Sequence, residues 1–331
     1  MYRLPTIADL HIPGVVKIPA LTRLAEQNHY TDSAIVTYLP PDTFSSAVGS
    51  SAREPHILVN LGYLYDSTLD GAHTQRLASS ADCFRRVAVR PAGDLAACRG
   101  RDGIQLFPLF GSQADMPRLL LSQPRDANGY LQGTFDGASW TPDGTHLAVV
   151  YDTCTIGVYT LTPTYDAVHL TATLTFDTLS TCDISNPVWS PDGKWLAFTK
   201  RVPPSLRLYL LPLSGPLAHL FRHEAAPVTI AVTDAMLVDR GTKGDIAPPS
   251  WSRDATHLTF VGEDETSMVT MDVTTGQRTT LVKQQAASMC DLSETPDGRH
   301  VVFGLCRSAS EPEAIVPPEQ FYVYTPPSEH A

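Results

Sequence analysis

The stretch Trp189-Ser-Pro-Asp-Gly-Lys-Trp-Leu-Ala-Phe198 determines the fold of this 331-residue chain. Proline presets the backbone of a tight turn, aspartate hydrogen-bonds the amides that follow it, and glycine takes the left-handed conformation that ends the turn. The apolar run after the turn has the composition of a strand. The stretch therefore predicts a β-hairpin loop that leads into a short buried strand.

Four further copies of this turn occur along the chain. They are Trp140–Gly144, Trp251–Ala255, Glu294–Gly298 and a weaker one, Val89–Gly93. The copies recur at intervals of about 40 to 60 residues, and periods of about 40 to 50 residues with several strands per unit are typical of propeller blades. We therefore predict an all-β fold, a β-propeller built from four-stranded blades.

The number of blades follows from the five turns and one further unit. Ser33–Leu39 and His56–Tyr65 have strand composition and predict a blade upstream of the first turn, which makes six. A seventh blade around Val228–Val232 is the alternative, because the interval between the turns at Trp189 and Trp251 is long. A strand at Gly14–Ile18 beside Phe321–Tyr324 would complete the last blade and cover two sheet edges.

The repeats resemble those of the TolB-like six-bladed β-propellers, a WD-type repeat family whose blades carry a Trp-Ser-Pro-Asp-Gly-Lys turn. The resemblance covers about residues 84–325. It implies the fold and says little about function, because that family includes periplasmic scaffold proteins, peptidase propeller domains and proteins of other kinds.

Composition and charge narrow the function classes. The chain has 24 Lys and Arg against 35 Asp and Glu, a net charge of −11, which argues against binding to nucleic acids or to anionic membrane surfaces. No apolar run is long enough to span a membrane. The N-terminus lacks the pattern of a secretory signal, so we expect a cytoplasmic protein. A periplasmic or extracellular protein whose signal was removed is the alternative.

We expect a single propeller domain at residues 33–325, with an N-terminal arm or cap at 1–32 that includes the closing strand and a mobile tail at 326–331. Two cysteine pairs are candidates for disulfides. Cys154 and Cys182 belong to loops that meet on one face of a propeller, and Cys290 and Cys306 bracket one hairpin. Small buried cysteines are the alternative for both pairs. Cys83 and Cys98 do not align well for pairing.

A ring of acidic residues is the candidate metal site. One acidic residue precedes the first strand of each of five units: Asp82, Asp136, Asp183, Asp245 and Asp291. In a propeller these positions encircle the axial channel, where converging carboxylates would bind a hard cation such as Ca²⁺ or another divalent ion. The alternative is that each aspartate caps its own loop by accepting hydrogen bonds from nearby amides, so that no cofactor is needed.

The residues that recur from one copy of the repeat to the next are interpreted as structural. The turn aspartates are expected to order the hairpins, and the tryptophans to pack between blades; they are Asp143, Asp192, Asp254, Asp297, Trp140, Trp189, Trp195 and Trp251. His146, His257 and His300 occupy equivalent strand positions on separate blades. We expect these histidines to lie apart from one another and to bind no metal.

No sequence motif for nucleophilic catalysis, zinc binding or phosphate binding is present. We therefore predict a noncatalytic propeller that acts as a protein-protein interaction scaffold through the loops of its channel face. The alternatives are a metal-dependent hydrolase or lactonase that uses the acidic ring, and a binder of a small ligand in the channel. Neither the partner nor the ligand follows from the residues.

Overall fold

The fold was analysed in a computed structural model of the chain. It describes residues 10–28, 34–38, 54–61, 63–77, 84–100, 102–110, 118–122, 135, 137–152, 154–162, 164, 167–176, 183–202, 205–213, 228–232, 236–242, 247–285, 287–306 and 320–327. The fold is an all-β, six-bladed β-propeller, as the repeats predict. The contacts divide the chain into two compact units, Met1–Ser79 with Thr242–Ala331 and Ser80–Gly241.

The first unit contains three blades. It also contains the one helix that occurs among the described residues. Blade 1 contains β2 (Ala34–Tyr38), β3 (His56–Asn60), β4 (Leu64–Thr68) and β5 (Thr74–Arg76). Blade 5 contains β19 (Ser250–Trp251), β20 (His257–Val261), β21 (Ser267–Asp272) and β22 (Arg278–Lys283). Blade 6 contains β23 (Ser288–Glu294), β24 (Val301–Cys306), β25 (Gln320–Tyr324) and β1 (Val15–Lys17), and α1 spans Pro19–Asn28.

The second unit contains the other three blades. Blade 2 contains β6 (Phe84–Val89), β7 (Leu95–Arg99), β8 (Gly103–Pro108) and β9 (Arg118–Ser122). Blade 3 contains β10 (Ala138–Trp140), β11 (His146–Asp152), β12 (Thr155–Leu161), β13 (Val168–Phe176) and β17 (Val228–Val232). Blade 4 contains β14 (Ile184–Trp189), β15 (Trp195–Val202), β16 (Ser205–Pro212) and β18 (Met236–Thr242).

The segment that could have begun a seventh blade extends an existing one. β17 pairs in parallel with β13 and becomes the fifth strand of blade 3, with Ala172 opposite Val228. β18, which follows it, is the fourth strand of blade 4. The long interval between the turns at Trp189 and Trp251 therefore contains a strand that covers the outer edge of a neighbouring blade.

The N-terminal segment completes blade 6 and covers its side. β1 pairs antiparallel with β25, with Val15 opposite Tyr324. Ile18 and Leu21 are fully buried in a core that contains apolar residues of β3 and β25, so that α1 packs against both blades 1 and 6. Among the described residues, no helix is long and apolar enough to cross a membrane.

The repeated turns share one hydrogen-bond pattern. In blade 4, the Ser190 hydroxyl donates to Asp192 over 2.6 Å, the Lys194 amide donates to the same carboxylate over 3.1 Å, and the Trp195 amide donates to the Ser190 hydroxyl oxygen over 2.9 Å. Gly193 has φ of +70°, the conformation that glycine adopts without strain. The blade 3, 5 and 6 turns repeat these bonds with Thr141, Ser252 and Thr295 as the hydroxyl residues.

A second repeated bond joins neighbouring blades. At three junctions, a serine hydroxyl on the first strand of one blade accepts a hydrogen bond from a backbone amide on the first strand of the next blade. Ser139 accepts from the Trp189 amide over 3.1 Å, Ser250 from the Glu294 amide over 2.8 Å, and Ser293 from the Thr37 amide over 3.0 Å. Because these residues are on the first strands of their blades, the bonds fix the spacing between successive blades.

Candidate ligand groove between blades 5 and 6

Glu294 stands where blades 3, 4 and 5 have a tryptophan. The three tryptophans are buried, with 4 to 7% of their surface exposed, and the Trp140 indole donates to the Ala88 carbonyl of the preceding blade over 3.1 Å. The indole therefore fills the space between its own blade and the one before it. Glutamate is smaller than tryptophan, and its substitution into this position leaves space between blades 5 and 6.

That space is a groove with a volume of about 890 Å³, within the range of about 300 to 1,000 Å³ that is common for ligand pockets. We call it the Glu294 groove. It lies between the turn and strands of blade 5 and the turn and the strands β24 and β25 of blade 6. Its lining residues are Ser252, Arg253, Asp254, His257, Thr259, Thr270, Thr279, Thr280, Leu281, Glu294, Asp297, Gly298, His300, Val301, Tyr324, Pro326 and Pro327.

Two of the three carboxylates in the groove are held by their own turns. Hydrogen bonds from Thr256 and then Ser252 lower the pKa of Asp254 to about 2. Partial burial alone would raise the pKa of Asp297, but hydrogen bonds from the Thr295 hydroxyl and the Arg299 amide lower it. Both aspartates are therefore ionised at neutral pH and both have their hydrogen bonds within the turns.

The carboxylate of Glu294 is different, because the structure gives it no hydrogen bond or ion pair to any of the described residues. Only its backbone is engaged, through the Ser250 bond and through a hydrogen bond of 2.5 Å that its carbonyl accepts from the Thr37 hydroxyl. Burial, followed by the charges of Asp254 and Asp297, raises the pKa of Glu294 to about 7. The groove thus contains one carboxyl group that is not used by the fold and that changes charge near neutral pH.

The chemistry of the lining favours a cationic or hydrogen-bonding ligand. Asp254 and Asp297 supply negative charge on either side of Glu294, and threonine hydroxyls of β20, β21 and β22 supply donors and acceptors. His257 and His300 lie at the groove with their Nδ1 atoms 2.7 Å and 2.9 Å from the hydroxyls of Thr256 and Thr325. Leu281 and Val301 add apolar contact area.

The sequence signal for this groove was the glutamate at a tryptophan position in an otherwise well-formed copy of the turn. The turn pattern predicts the hairpin, but it does not indicate the space that the glutamate leaves between the two blades. His257 and His300 were expected to lie apart. Both line the same groove, which sequence reasoning missed because neighbouring blades bring equivalent positions to the two sides of one cleft.

Of the five aspartates predicted to ring the channel, Asp82, Asp136 and Asp245 lie outside the described residues. Asp183 accepts a hydrogen bond from Arg201 Nε over 2.8 Å, and Asp291 is buried in β23 with 3% of its surface exposed. The described residues include no group of three or more histidine, cysteine or acidic side chains arranged to hold a metal ion. The acidic ring stays a prediction.

The sequence predicted only in part which cysteines form disulfides. Cys290 and Cys306 are joined by a disulfide, with their Cα atoms 5.7 Å apart. Cys98 is fully buried and disulfide-bonded. Its poor alignment with Cys83 stays a prediction. Cys83 lies outside the described residues.

The Cys154–Cys182 pair stays a prediction, because Cys182 also lies outside the described residues. Cys154 is partly buried and packs against the core cluster of blades 3 and 4.

Blade 1 contains a buried polar network that has no counterpart in the turn motif. Asp66, with 2% of its surface exposed, accepts hydrogen bonds from the Tyr38 hydroxyl over 2.7 Å and from Gln75 over 3.1 Å, and its other neighbour is His56 Nδ1 at 2.9 Å. Burial, followed by the charge of Asp66 and the hydrogen bond to it, raises the pKa of Tyr38. These residues join all four strands of blade 1, so the network helps to hold the blade together.

Comparisons with known proteins agree with the class of protein that the sheets define, a six-bladed β-propeller. No family model matches the chain, and no curated protein is similar to it in sequence. The solved structures that resemble it include TolB from Acinetobacter baumannii, with a TM-score of 0.50 and 16% identity. The match covers 88% of this chain and 63% of that one, so the chain spans less than two thirds of that TolB.

Two other similar structures come from proteins of different kinds. One is the β-propeller domain of Myceliophteria thermophila Cps50 (Swd1), with a TM-score of 0.50, 11% identity and coverage of 82% of this chain and 80% of that one. The other belongs to a nidogen/laminin complex, with a TM-score of 0.51, 10% identity and coverage of 82% and 84%. Likenesses at these identities show the fold, and the TolB-like resemblance of the repeats is confirmed at that level.

Proposed function

We propose that this protein is a noncatalytic binding platform for a protein partner, and that the Glu294 groove holds a basic segment of that partner. The observation that carries the proposal is the unpartnered, partly buried carboxyl of Glu294 in a groove flanked by two ionised aspartates. A lysine or arginine side chain would supply both the charge and the donors that this carboxyl lacks.

The rest of the groove fits an extended peptide better than a compact metal ion. Its length takes in side chains from three strands of blade 5, and its rim includes Pro326 and Pro327. Threonine hydroxyls along the wall can pair with peptide groups of a bound segment. The net charge of −11 adds long-range attraction for a basic partner. The channel-face loops, which the sequence favoured as the binding surface, stay a prediction.

A peptide-display selection with a matched set of variants tests this function. Glu294→Trp fills the groove with the residue that blades 3, 4 and 5 have at the same position, so it is expected to fold, and a thermal melt checks this. Glu263→Gln removes an exposed carboxylate of blade 5 that does not line the groove. We expect selected peptides to be rich in Lys and Arg and to bind wild type and Glu263→Gln but not Glu294→Trp.

Peptides that bind Glu294→Trp as tightly as wild type would overturn the assignment of the groove. A selection that enriches no basic peptide would overturn the proposed ligand class.

A further inference from the structure

One of the three carboxyl groups in the Glu294 groove forms no hydrogen bond or ion pair with the described residues. Asp254 and Asp297 are bonded to hydroxyls and amides of their own turns, whereas the Glu294 carboxyl has neither a donor nor a cation among the described residues. A carboxylate without a partner, in a partly buried cleft and next to two other negative charges, is unstable in its charged form. The empty groove therefore favours the neutral acid at this one position.

The titratable and charged groups that face Glu294 come from both blades. They are Arg253, Asp254 and His257 from blade 5, and Asp297, His300 and Tyr324 from blade 6. Among these, the charges of Asp254 and Asp297 act on Glu294 in the same direction as burial, and together the three effects raise the pKa of Glu294 to about 7. A cation placed among the three carboxyl groups would counter the charges of Asp254 and Asp297 and so favour the ionised form of Glu294.

We propose that the groove exchanges one proton for one basic side chain, so that partner binding is controlled by pH through Glu294. This inference rests on the proposed function and adds its regulation. Below about pH 7, the Glu294 carboxyl in the empty groove keeps its proton. When a lysine ammonium or arginine guanidinium enters, the carboxyl releases that proton to solvent and the resulting carboxylate forms an ion pair with the bound cation, so that charge and atoms balance.

The geometry explains why the exchange centres on Glu294 rather than on the aspartates. A Cβ added at Gly298 would lie 3.7 Å from Glu294 Oε1 and 3.8 Å from Arg253 Cβ, so the two turns come close together beside the carboxyl. Asp254 and Asp297 remain ionised whether or not a ligand is bound, because their turns stabilise the charge. Of the three carboxyl groups, only Glu294 has a charge that differs between the empty and the occupied groove.

Titration calorimetry with a defined cationic probe tests the exchange. The probe is a terminally capped hexalysine peptide, and its control is the same peptide with every lysine acetylated. Affinity is measured from pH 5.5 to 8.5 for wild type, Glu294→Gln and Glu263→Gln. Glu294→Gln keeps the shape of the side chain and both histidines, so its difference from wild type isolates the carboxyl.

We expect the affinity of wild type for hexalysine to rise up to about tenfold per pH unit below pH 7 and to level off above it, because one proton is exchanged. Glu294→Gln should lose most of this dependence and bind about tenfold more weakly at pH 8, with Glu263→Gln behaving as wild type. Wild type should release about one proton per peptide at pH 6.5 when measured in buffers of different ionisation enthalpy.

Equal pH dependence in wild type and Glu294→Gln, or equal affinities of hexalysine for Glu294→Gln and Glu263→Gln, would overturn the inference. The outcome is separable from that of the proposed function. Basic peptides selected at the groove but bound without proton release would leave the platform intact and contradict the exchange. Proton-linked binding of hexalysine without any groove-specific peptide in the display selection would support the exchange and contradict the platform.

Discussion

At the scale of the residue, a glutamate at a position where three other blades have tryptophan accounts for the groove. Trp140 and Trp189 close the space between their own blade and the preceding one, and Glu294 leaves it open. The backbone at this position is unchanged, because the Glu294 amide donates to Ser250 as the Trp189 amide donates to Ser139. The repeat therefore supplies the scaffold and the single side chain supplies the site.

Stability should depend on pH through the same carboxyl. The pKa of Glu294 is raised from 4.5 to about 7, so folding keeps a proton that the unfolded chain releases between these values. The contribution is fully present below pH 4.5 and is lost as pH rises through 7. We expect Glu294→Gln to exceed wild type in free energy of unfolding by on the order of 1–2 kcal/mol at pH 8, a figure reduced for partial exposure.

Urea denaturation at pH 4.5 and pH 8 measures this difference. At pH 4.5 the two proteins should agree within about 0.5 kcal/mol, because the carboxyl is then protonated in the folded state and about half protonated in the unfolded state. Glu263→Gln is the control for a lost surface charge. A gain in Glu294→Gln that is the same at both pH values would show that the charge of Glu294 does not matter.

At the scale of the element, the hairpin turn is the repeated unit, and among its full copies only the one in blade 5 lacks the glycine. Ala255 has φ of +60° where the other full copies have glycine, for example Gly193 at +70°. Side chains with a Cβ are strained in this conformation. The hydrogen bonds of the turn are nevertheless complete, since Asp254 accepts from both Ser252 and Thr256. The turn thus tolerates the alanine at a cost in stability.

We expect Ala255→Gly to raise the free energy of unfolding by about 0.5–1 kcal/mol, because it removes this backbone strain. Gly193→Ala is the matched reverse change. A Cβ there would meet only Pro142 Cγ, at 3.9 Å, so crowding is absent and the expected loss of about 1 kcal/mol comes from backbone strain alone. If thermal or urea unfolding shows the two changes acting in the same direction, strain at this position is not the cause.

At the scale of the whole molecule, the N-terminal segment ties blade 1 to blade 6. The core around α1 contains Leu21 with residues from both blades, and the Thr37 amide donates to Ser293 across the same junction. We expect Leu21→Ala to cost about 2–4 kcal/mol, because it leaves a cavity in this core. Arg23→Ala, on the exposed face of the same helix, should change stability by less than about 0.5 kcal/mol. Urea denaturation of both variants is the measurement, and equal losses would contradict a packing role for α1.

The fold could be predicted from the sequence because the turn chemistry is local. Asp192, Gly193 and their equivalents specify a hairpin through bonds to residues at most a few positions away. The groove could not be predicted in this way, because it depends on which residues blade 5 presents to Glu294. The Asp66 network could not be predicted either, because it joins four strands through residues that no repeat marks.

The affinity of capped hexalysine at pH 8 for wild type, Glu263→Gln and Glu294→Trp is the measurement that tests the Glu294 groove most directly. All three proteins are expected to fold. The two variants lose the same single charge, and they differ in that Glu294→Trp fills the groove whereas Glu263→Gln lies outside it. We expect Glu263→Gln to bind as wild type does and Glu294→Trp to bind at least tenfold more weakly. Equal affinities for the two variants would show that the groove does not bind the basic segment.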